Sequence, residues 1–374
     1  MQQRRRDIGH SRGVDQLPLL DADLAPAAEA PAPAPASEGR PAAVPDTRVE
    51  PPSRPARARE APTAGPILLA VDGNSLAHRA FHAYGALGLG GRGGDRSGLS
   101  GFVALLTAVH DKARADALVV GFDCRERSVR RERHAGYKAN RREKDPALYA
   151  LLDLIPALLA DLGVVVVTER GWEADDVVGS AAAAAEALGW RCVVATSDRD
   201  AYGLISDATT VLRLRSGLDN AEEIDPRRLE RKVGVAPDRY LELAALRGDV
   251  SDNLPGVEGI GPARAAALLR AFPSVEAAVA DPIGCRSVIG RGPGQALLDD
   301  LVDRSRSVFL RNRELMTIRR DLAVDVLGCR PAVAPEAISS ALTGWGLAHL
   351  AGRAAVAFGV RPEAPPPPSE PPPL

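Results

Sequence analysis

The sequence predicts an α/β protein with a mostly parallel β-sheet, followed by a smaller helical module. Short apolar runs alternate with longer helical patterns between residue 66 and about residue 225. Such alternation is typical of a parallel sheet with helices on both faces, because the connection between two parallel strands usually carries a helix. After about residue 225 the strand signal fades and helical patterns continue alone, which predicts the second module.

The individual elements follow from the periodicity of apolar residues. Buried strands are predicted at Ile67–Val71, Ala117–Phe122, Val164–Thr168, Cys192–Ala195 and Thr210–Leu214. Helices are predicted between them at Phe102–Lys112, Ala147–Leu162 and Ala174–Leu188, and in the second module at Asp238–Arg247, Pro262–Phe272 and Gln295–Asn312.

Both ends of the chain have compositions that cannot form a core. Residues 21–65 contain 10 Pro and 14 Ala, and the last 13 residues contain 8 Pro. Such segments bury too little branched or aromatic surface to offset the entropy of ordering. We therefore expect a disordered arm at 1–65, an α/β body at 66–235, a helical module at 236–330, a C-terminal helical segment at 331–361 and an extended tail at 362–374.

The overall composition excludes several classes of protein. Only 4% of the 374 residues are aromatic and the formal charge is −2, which argues against a base-stacking platform for single strands and against a histone-like binder. No run approaches 18 apolar residues, and the basic start lacks the apolar region of a secretory signal. The four cysteines lie far apart. We therefore expect a cytoplasmic protein without a membrane partner, acting as a monomer.

Carboxylates follow the predicted strands at the point where each strand ends. In an open α/β sheet, ligands bind outside the carboxyl ends of the strands, so these acids should meet at one edge. Clustered carboxylates repel one another, and all-oxygen donors suit hard cations, Mg²⁺ first and Mn²⁺ as a substitute. Two such ions can support phosphodiester hydrolysis. The acids are Asp72, Asp123, Glu173, Asp175, Asp176, Asp198 and Asp200.

A second acidic group and a basic stretch complete the pattern. Asp249 and Asp252 directly precede a glycine-rich turn with Gly256, Gly259 and Gly261, whose exposed amides could hold a phosphate. The 20 residues 125–144 contain nine Arg or Lys and three Glu, a net charge of +6. Because this stretch adjoins the acids, it could grip the phosphates of a polyanion that the acids alone would repel.

Six strings in order resemble the 5′ nuclease family, which includes the amino-terminal exonuclease domain of bacterial DNA polymerase I, phage 5′ exonucleases and flap endonucleases. They span roughly residues 66–320 and are Val71–His82, Gly121–Asp123, Gly136–Arg141, Gly171–Gly179, Thr196–Asp200 and Gly248–Gly261. The resemblance implies a PIN-like α/β domain with a helical arch, then a helix-hairpin-helix-type (H3TH) module. It also implies a stand-alone form, since the chain ends where a polymerase I would continue.

The resemblance also implies roles for individual residues. The first metal ion would take Asp72, Asp123, Glu173, Asp175 and Asp176, and the second Asp198, Asp200, Asp249 and Asp252, partly through water. Catalytic contacts to the scissile phosphate would come from Lys138 and Arg141. Further DNA contacts would come from Arg130, from Tyr137 by stacking, and from the hairpin at Gly256, Gly259 and Gly261, where relatives often hold K⁺.

These features predict a divalent-metal-dependent 5′-3′ exonuclease or flap endonuclease, acting on DNA 5′ ends, flaps and duplex junctions, with RNA primers as further substrates. Two alternatives remain open. A PIN-type ribonuclease is disfavoured by the module at residues 248–272, which small PIN ribonucleases generally lack. A non-catalytic DNA-junction binder is disfavoured by the nine acids, because a binder gains nothing from repelling its own ligand.

Overall fold

Six strands form the central sheet of the structure, a computed structural model that describes residues 65–85, 94–215 and 217–360. The strands are β1 (Ile67–Asp72), β2 (Ala117–Phe122), β3 (Val165–Thr168), β4 (Arg191–Thr196), β5 (Thr209–Arg215) and β6 (Gly217–Ile224). Their spatial order is β3-β2-β1-β4-β5-β6. The first five strands pair in parallel and β6 pairs antiparallel to β5. The predicted α/β class with a mostly parallel sheet is confirmed.

Helices cover both faces of this sheet. They are α1 (Gly73–Gly85), α2 (Gly94–Ala113), α3 (Val129–Arg133), α4 (Pro146–Asp161) and α5 (Ala174–Ala187). Successive residues of β1 enter opposite cores, since Leu68 packs in the cluster that contains α5 while Leu69 packs in the cluster that contains α1, α2 and α4. Burial on both faces explains why these strands read as continuous apolar runs rather than alternating ones.

The second module contains only helices and one short hairpin. After α6 (Pro226–Val233) come α7 (Tyr240–Arg247), the strands β7 (Gly248–Asp249) and β8 (Leu254–Pro255), and then α8 (Pro262–Ala271), α9 (Val275–Ala280), α10 (Pro282–Ile289), α11 (Arg291–Val302) and α12 (Val308–Met316). The module packs on the sheet domain through α7, whose Tyr240 ring meets Tyr202 edge-on with centroids 5.4 Å apart.

The single helix predicted over Gln295–Asn312 is wrong, because residues 303–307 separate α11 from α12. Polar side chains compete there with the helical hydrogen bonds. Asp300 accepts hydrogen bonds from the Ser307 hydroxyl and from the amides of Val308 and Phe309. Ser307 in turn caps α12 by accepting from the amide of Leu310.

The predicted helical arch is mostly not helical. It corresponds to residues 124–145, called the arch segment below, in which α3 supplies five helical residues and turns follow from residue 135 to residue 140. Lys138 has a φ of +55°, a left-handed conformation that a continuous α-helix cannot contain. The turn is stabilised instead by the Lys138 amide, which donates to the Asp252 carbonyl at 2.9 Å.

The C-terminal helices α13 (Pro335–Gly344) and α14 (Ala351–Phe358) return to the sheet domain. The Trp345 indole donates to Asp161 at 2.8 Å, and the Phe358 ring meets His110 on α2 edge-on. The predicted arm at 1–65 and the predicted tail at 362–374 lie outside the described residues, except for Gly65. Within the described parts of the chain, no helix is long and apolar enough to cross a membrane.

Candidate active site

Asp72 and Asp123 lie side by side at the carboxyl edge of the sheet, because β1 and β2 are parallel neighbours. Asp72 ends β1, where its carboxylate accepts from the Ser75 amide and from the Thr196 hydroxyl, both at 2.9 Å. The Asp123 carboxylate accepts from the Ala174 amide at 3.0 Å. Backbone amides at the starts of α1 and α5 therefore orient both acids.

The acids after β3 and β4 reach the same edge. Asp175 lies in the first turn of α5, which starts directly after Glu173. Beyond β4, the Asp198 amide donates to the Thr196 hydroxyl and the Asp198 carboxylate accepts from the Asp200 amide at 2.9 Å. This turn brings Asp198 and Asp200 close to Asp249 and Asp252, which follow α7.

The second module contributes Asp249 and Asp252 through the β7–β8 hairpin. Asp249 accepts from the amide and the hydroxyl of Ser251, both at 2.7 Å. Asp252 is buried and forms an ion pair with Arg141 of the arch segment. The hairpin and the arch segment are thus joined directly, and Asp252 faces Asp198 across the site.

Burial and mutual repulsion raise the pKa values of four of these acids. Burial raises the pKa of Asp72 to about 7, and the charges of Asp123 and Asp198 add to it. The pKa of Asp175 rises well above its usual value through burial and the charges of Asp198 and Asp72. Burial also raises the pKa of Asp198, and raises that of Asp200 strongly, where Asp198 adds to the effect.

Lys138 and Arg141 neutralise part of this charge. The Lys138 ammonium donates to the Glu173 carboxylate at 2.8 Å and lies 3.9 Å from Asp252. Burial alone would lower the pKa of Lys138, but Glu173 and Asp252 outweigh it and raise it. Burial would likewise raise the pKa of Glu173, and Lys138 together with Arg130 lowers it instead. Both predicted catalytic cations therefore lie inside the acidic group.

Three predicted site residues are placed differently from their expected roles. Tyr137 is 4% exposed and its hydroxyl donates to Glu173 at 3.0 Å, so its ring is not available to stack on a base. Arg130 and Asp176 are 6% and 0% exposed and pair with each other. Arg130 therefore offers almost no surface to DNA, and the Asp176 carboxylate is engaged by Arg130 and by backbone amides.

The glycine hairpin lies next to the second acidic group. A Cβ on Gly256 would lie 2.2 Å from the Arg247 carbonyl, so only glycine allows this close approach of two backbones. Gly259 has a φ of +71°, and its carbonyl accepts from the Arg264 guanidinium at 2.8 Å. Gly261 is the N-cap of α8, and a Cβ there would meet no atom of the described residues within 4 Å.

The carboxylate oxygens of this site suit divalent cations, although the described side chains do not form a complete coordination shell. Within the described residues, no three His, Cys, Asp or Glu side chains are arranged to hold a metal ion as they stand. Glu173 and Asp252 are held by Lys138 and Arg141 instead. One oxygen of Asp175 and one of Asp200 are nevertheless buried without a hydrogen-bond partner among the described residues. Unpartnered buried carboxylate oxygens are costly in the absence of a cation, so these residues fit a metal site.

Reasoning from the sequence missed several residues that shape the site. Asn74 accepts from the Asp123 amide at 3.0 Å, and Arg79 donates to the Ser197 hydroxyl at 3.0 Å, which holds the turn that carries Asp198. Lys144 lies near Asp123 and Arg141, and its pKa is lowered by burial and by neighbouring cations, which together outweigh the opposite effect of Asp123. In the sequence, these residues were marked only by position: Asn74 and Arg79 lie in a string that matches the family pattern, and Lys144 lies in the basic stretch.

Two family models cover the sheet domain and the helical module in succession. The model described as the 5′-3′ exonuclease N-terminal resolvase-like domain matches residues 67–234, and the one described as the 5′-3′ exonuclease C-terminal SAM fold matches residues 235–330. The chain belongs to the 5′-3′ exonuclease family. The predicted resemblance to the 5′ nuclease family is thereby confirmed.

The chain is similar in sequence to part of several bacterial DNA polymerases. The chain is 37% identical to DNA polymerase I of Mycobacterium leprae over 258 residues, which cover 69% of this chain and 27% of that protein. It is 41% identical to the thermostable DNA polymerase I of Thermus aquaticus over 214 residues, 57% of this chain and 25% of that protein. The chain therefore spans about a quarter of the length of these relatives.

Solved structures of nucleases share the fold. The 5′-exonuclease of phage T5 with bound zinc has a TM-score of 0.53 at 22% identity, covering 78% of this chain and 99% of that one. Human GEN1 in complex with Holliday junction DNA has a TM-score of 0.52 at 16% identity, covering 79% of this chain and 71% of that one. These likenesses confirm the architecture of a mixed sheet followed by a helical module.

Proposed function

We propose that the protein is a divalent-metal-dependent 5′-3′ exonuclease and flap endonuclease, which hydrolyses DNA phosphodiester bonds at 5′ ends or flaps during replication and repair. The observation that carries the proposal is a buried oxygen on each of Asp175 and Asp200, inside an acidic group, that has no hydrogen-bond partner in the described part of the chain. Family membership supplies the reaction class. Structures of phage T5 5′-exonuclease with divalent ions and of GEN1 with DNA support a metal and a DNA substrate.

We assign eight carboxylates to the metal ions, Mg²⁺ in the first place and Mn²⁺ as a substitute. The chemistry that two such ions supply is activation of a water molecule and stabilisation of the leaving oxygen. The first site would use Asp72, Asp123, Glu173 and Asp175, and the second Asp198, Asp200, Asp249 and Asp252. Asp176 is left out, since both of its oxygens are engaged by other groups.

The cations of the arch segment would hold the reacting phosphate. Lys138 and Arg141 now pair with Glu173 and Asp252, and each would exchange its carboxylate for a phosphate oxygen of the DNA. A cation directed at the reacting phosphate stabilises the charge that grows in the transition state. The two residues therefore act on the rate more than on the affinity.

The helical module would bind the duplex part of the substrate. Backbone amides of the hairpin at Gly256, Gly259 and Gly261 are suited to a phosphate. The proposal includes K⁺ on the hairpin carbonyls. The Gly259 carbonyl accepts from Arg264 and would have to exchange that guanidinium for the ion. The proposal further includes RNA primers as substrates, a monomeric state and a cytoplasmic location.

A panel of substrates tests the proposal against its alternatives. Single-turnover cleavage with Mg²⁺ would be measured on a 5′-flap DNA duplex, the matching 3′-flap duplex and a single-stranded RNA of the same sequence. We expect cleavage of the 5′ flap near its junction and little cleavage of the other two. Preferred cleavage of RNA would indicate the ribonuclease, and tight binding of the flap without cleavage would indicate the junction binder.

A further inference from the structure

A buried ion pair joins three segments of the chain behind the acidic group. Arg130 of α3 and Asp176 of α5 form two hydrogen bonds of 2.6 and 2.7 Å. Arg130 also donates to the carbonyls of Leu315 and Thr317, at 2.7 and 3.0 Å. The pair therefore ties the arch segment, the start of α5 and the segment that follows α12 to one point.

The four acceptor positions of the Asp176 carboxylate are all used. One oxygen accepts from Arg130 and from the Glu173 amide at 3.0 Å, and the other accepts from Arg130 and from the Arg319 amide at 2.9 Å. An ionised carboxylate offers about four lone-pair positions. No position is left for a metal ion, in contrast to Asp175 beside it, which has one oxygen without a hydrogen-bond partner among the described residues.

The pair also controls what surrounds Glu173. The Arg130 guanidinium lies 3.6 Å from the Glu173 carboxylate, which Lys138 contacts at 2.8 Å. While Arg130 is paired with Asp176, Lys138 is the cation closest to the Glu173 carboxylate. Without the negative charge of Asp176, Glu173 would be the nearest carboxylate for Arg130, and the two cations would compete for it.

We propose that Asp176 is a positioning residue rather than a metal ligand: it holds Arg130 away from Glu173 and thereby keeps Lys138 and Glu173 in place for the reaction. The proposal concerns the reaction inferred above and rests on that proposed function. It predicts that Arg130 becomes inhibitory when Asp176 loses its charge, a consequence that a metal-ligand role does not have.

The first experiment counts bound metal without any reaction. Binding of Mn²⁺ to the full chain would be followed by electron paramagnetic resonance for the wild type, Asp176→Asn and Asp175→Asn. We expect Asp176→Asn to bind as many ions as the wild type with a similar Kd, and Asp175→Asn to bind fewer. Loss of an ion from Asp176→Asn would overturn the proposal and make Asp176 a ligand.

The second experiment measures single-turnover cleavage of the 5′-flap duplex. We expect Asp176→Asn to lower the rate by ~10- to 100-fold, the size of effect that misplaced catalytic groups produce. The double variant Arg130→Met with Asp176→Asn should cleave faster than Asp176→Asn, because the competing cation is gone. A double variant that is no faster than Asp176→Asn would contradict the competition.

Controls separate positioning from loss of stability. Asp300→Asn removes charge from another carboxylate with three hydrogen bonds, in the helical module. It should lower Tm without lowering the rate at temperatures well below Tm. The double variant should fold, since replacing both members of a buried ion pair is often tolerated. If the wild type itself fails to cleave, the proposed function fails, while the Mn²⁺ counts still decide the role of Asp176.

Discussion

Lys138 is held on the acidic group by two different bonds, since its ammonium donates to Glu173 at 2.8 Å and its backbone amide donates to the Asp252 carbonyl at 2.9 Å. Glu173 is the N-cap of α5 in the sheet domain, and Asp252 belongs to the β7–β8 hairpin of the helical module. One residue of the arch segment thus bridges both halves of the site. The acidic group is therefore assembled from residues of both domains.

Removing the Lys138 ammonium should affect the chemical step. Lys138→Ala is expected to lower the single-turnover rate by about 10²-fold or more, because a cation aimed at the reacting phosphate acts mainly in the transition state. The DNA Kd should change far less, since one phosphate contact among many contributes little affinity. The control is Lys232→Ala, because Lys232 lies on α6 and pairs with Glu222 of β6. An effect of Lys138→Ala on affinity alone would place Lys138 outside the reaction.

Neutralising a proposed metal ligand should separate binding from cleavage. Asp123→Asn and Asp198→Asn are each expected to abolish cleavage, while DNA binding in EDTA persists or becomes tighter. Each change removes one ligand and one negative charge that faces the phosphates. Gel-shift binding beside a cleavage assay measures both quantities. Normal turnover in both variants would refute the assignment of the site.

The free energy of unfolding should depend on pH and Mg²⁺ together. Burial and neighbouring charges raise the pKa of Asp72 from 3.8 to about 7. A raised pKa in the folded state gives stability that is complete below pH 4 and is lost as the pH rises through about 7. Without metal, the protein should therefore become less stable over this range.

Mg²⁺ should reverse that loss, because it stabilises the ionised carboxylates. We expect the rise in Tm on replacing EDTA by Mg²⁺ to be larger at pH 8 than at pH 5, by at least ~3 °C, which corresponds to about 1 kcal/mol. Thermal unfolding by circular dichroism provides the measurement. An equal rise at both pH values would show that the buried acids do not take up the ion.

Lys144 should contribute to DNA affinity and not to the chemical step. Burial lowers the pKa of Lys144, and Asp123 acts in the opposite direction. The neighbouring cations Arg141, Arg125 and Lys138 lower this pKa further. A DNA phosphate at this place would relieve the repulsion. Lys144→Gln should weaken binding and reduce the salt dependence of log K by about 1. Lys232→Gln, on the exposed side of α6, should leave that slope unchanged, and an unchanged slope for Lys144→Gln would refute the contact.

The sheet and its acidic edge could be predicted because both depend on local patterns. A run such as Ala117–Phe122 followed by Asp123 marks the end of a buried strand, and parallel strands end at a common edge. The antiparallel strand β6 was not predicted, since Gly217–Ile224 contains Asp, Asn and two Glu and few strand-forming residues. Its pairing with β5 decides its conformation.

The roles of adjacent acids in α5 could not be separated from the sequence. Asp175 and Asp176 are neighbours of identical type, and the difference between them comes from Arg130 and from the Arg319 amide, which are distant in the chain. The role of Tyr137 could not be predicted either, because only the folded structure shows that this residue is buried and that its hydroxyl donates to Glu173. Contacts between segments that are far apart in sequence leave no local signal.

The most direct test of the proposed mechanism is cleavage of a 5′-flap duplex by protein first stripped with EDTA and then supplied with Mg²⁺. We predict no cleavage in EDTA, cleavage near the flap junction on addition of Mg²⁺, and none with Asp175→Asn or Asp200→Asn under either condition. Cleavage in EDTA at the rate seen with Mg²⁺, or full activity of both variants, would contradict metal-dependent hydrolysis at this carboxylate edge.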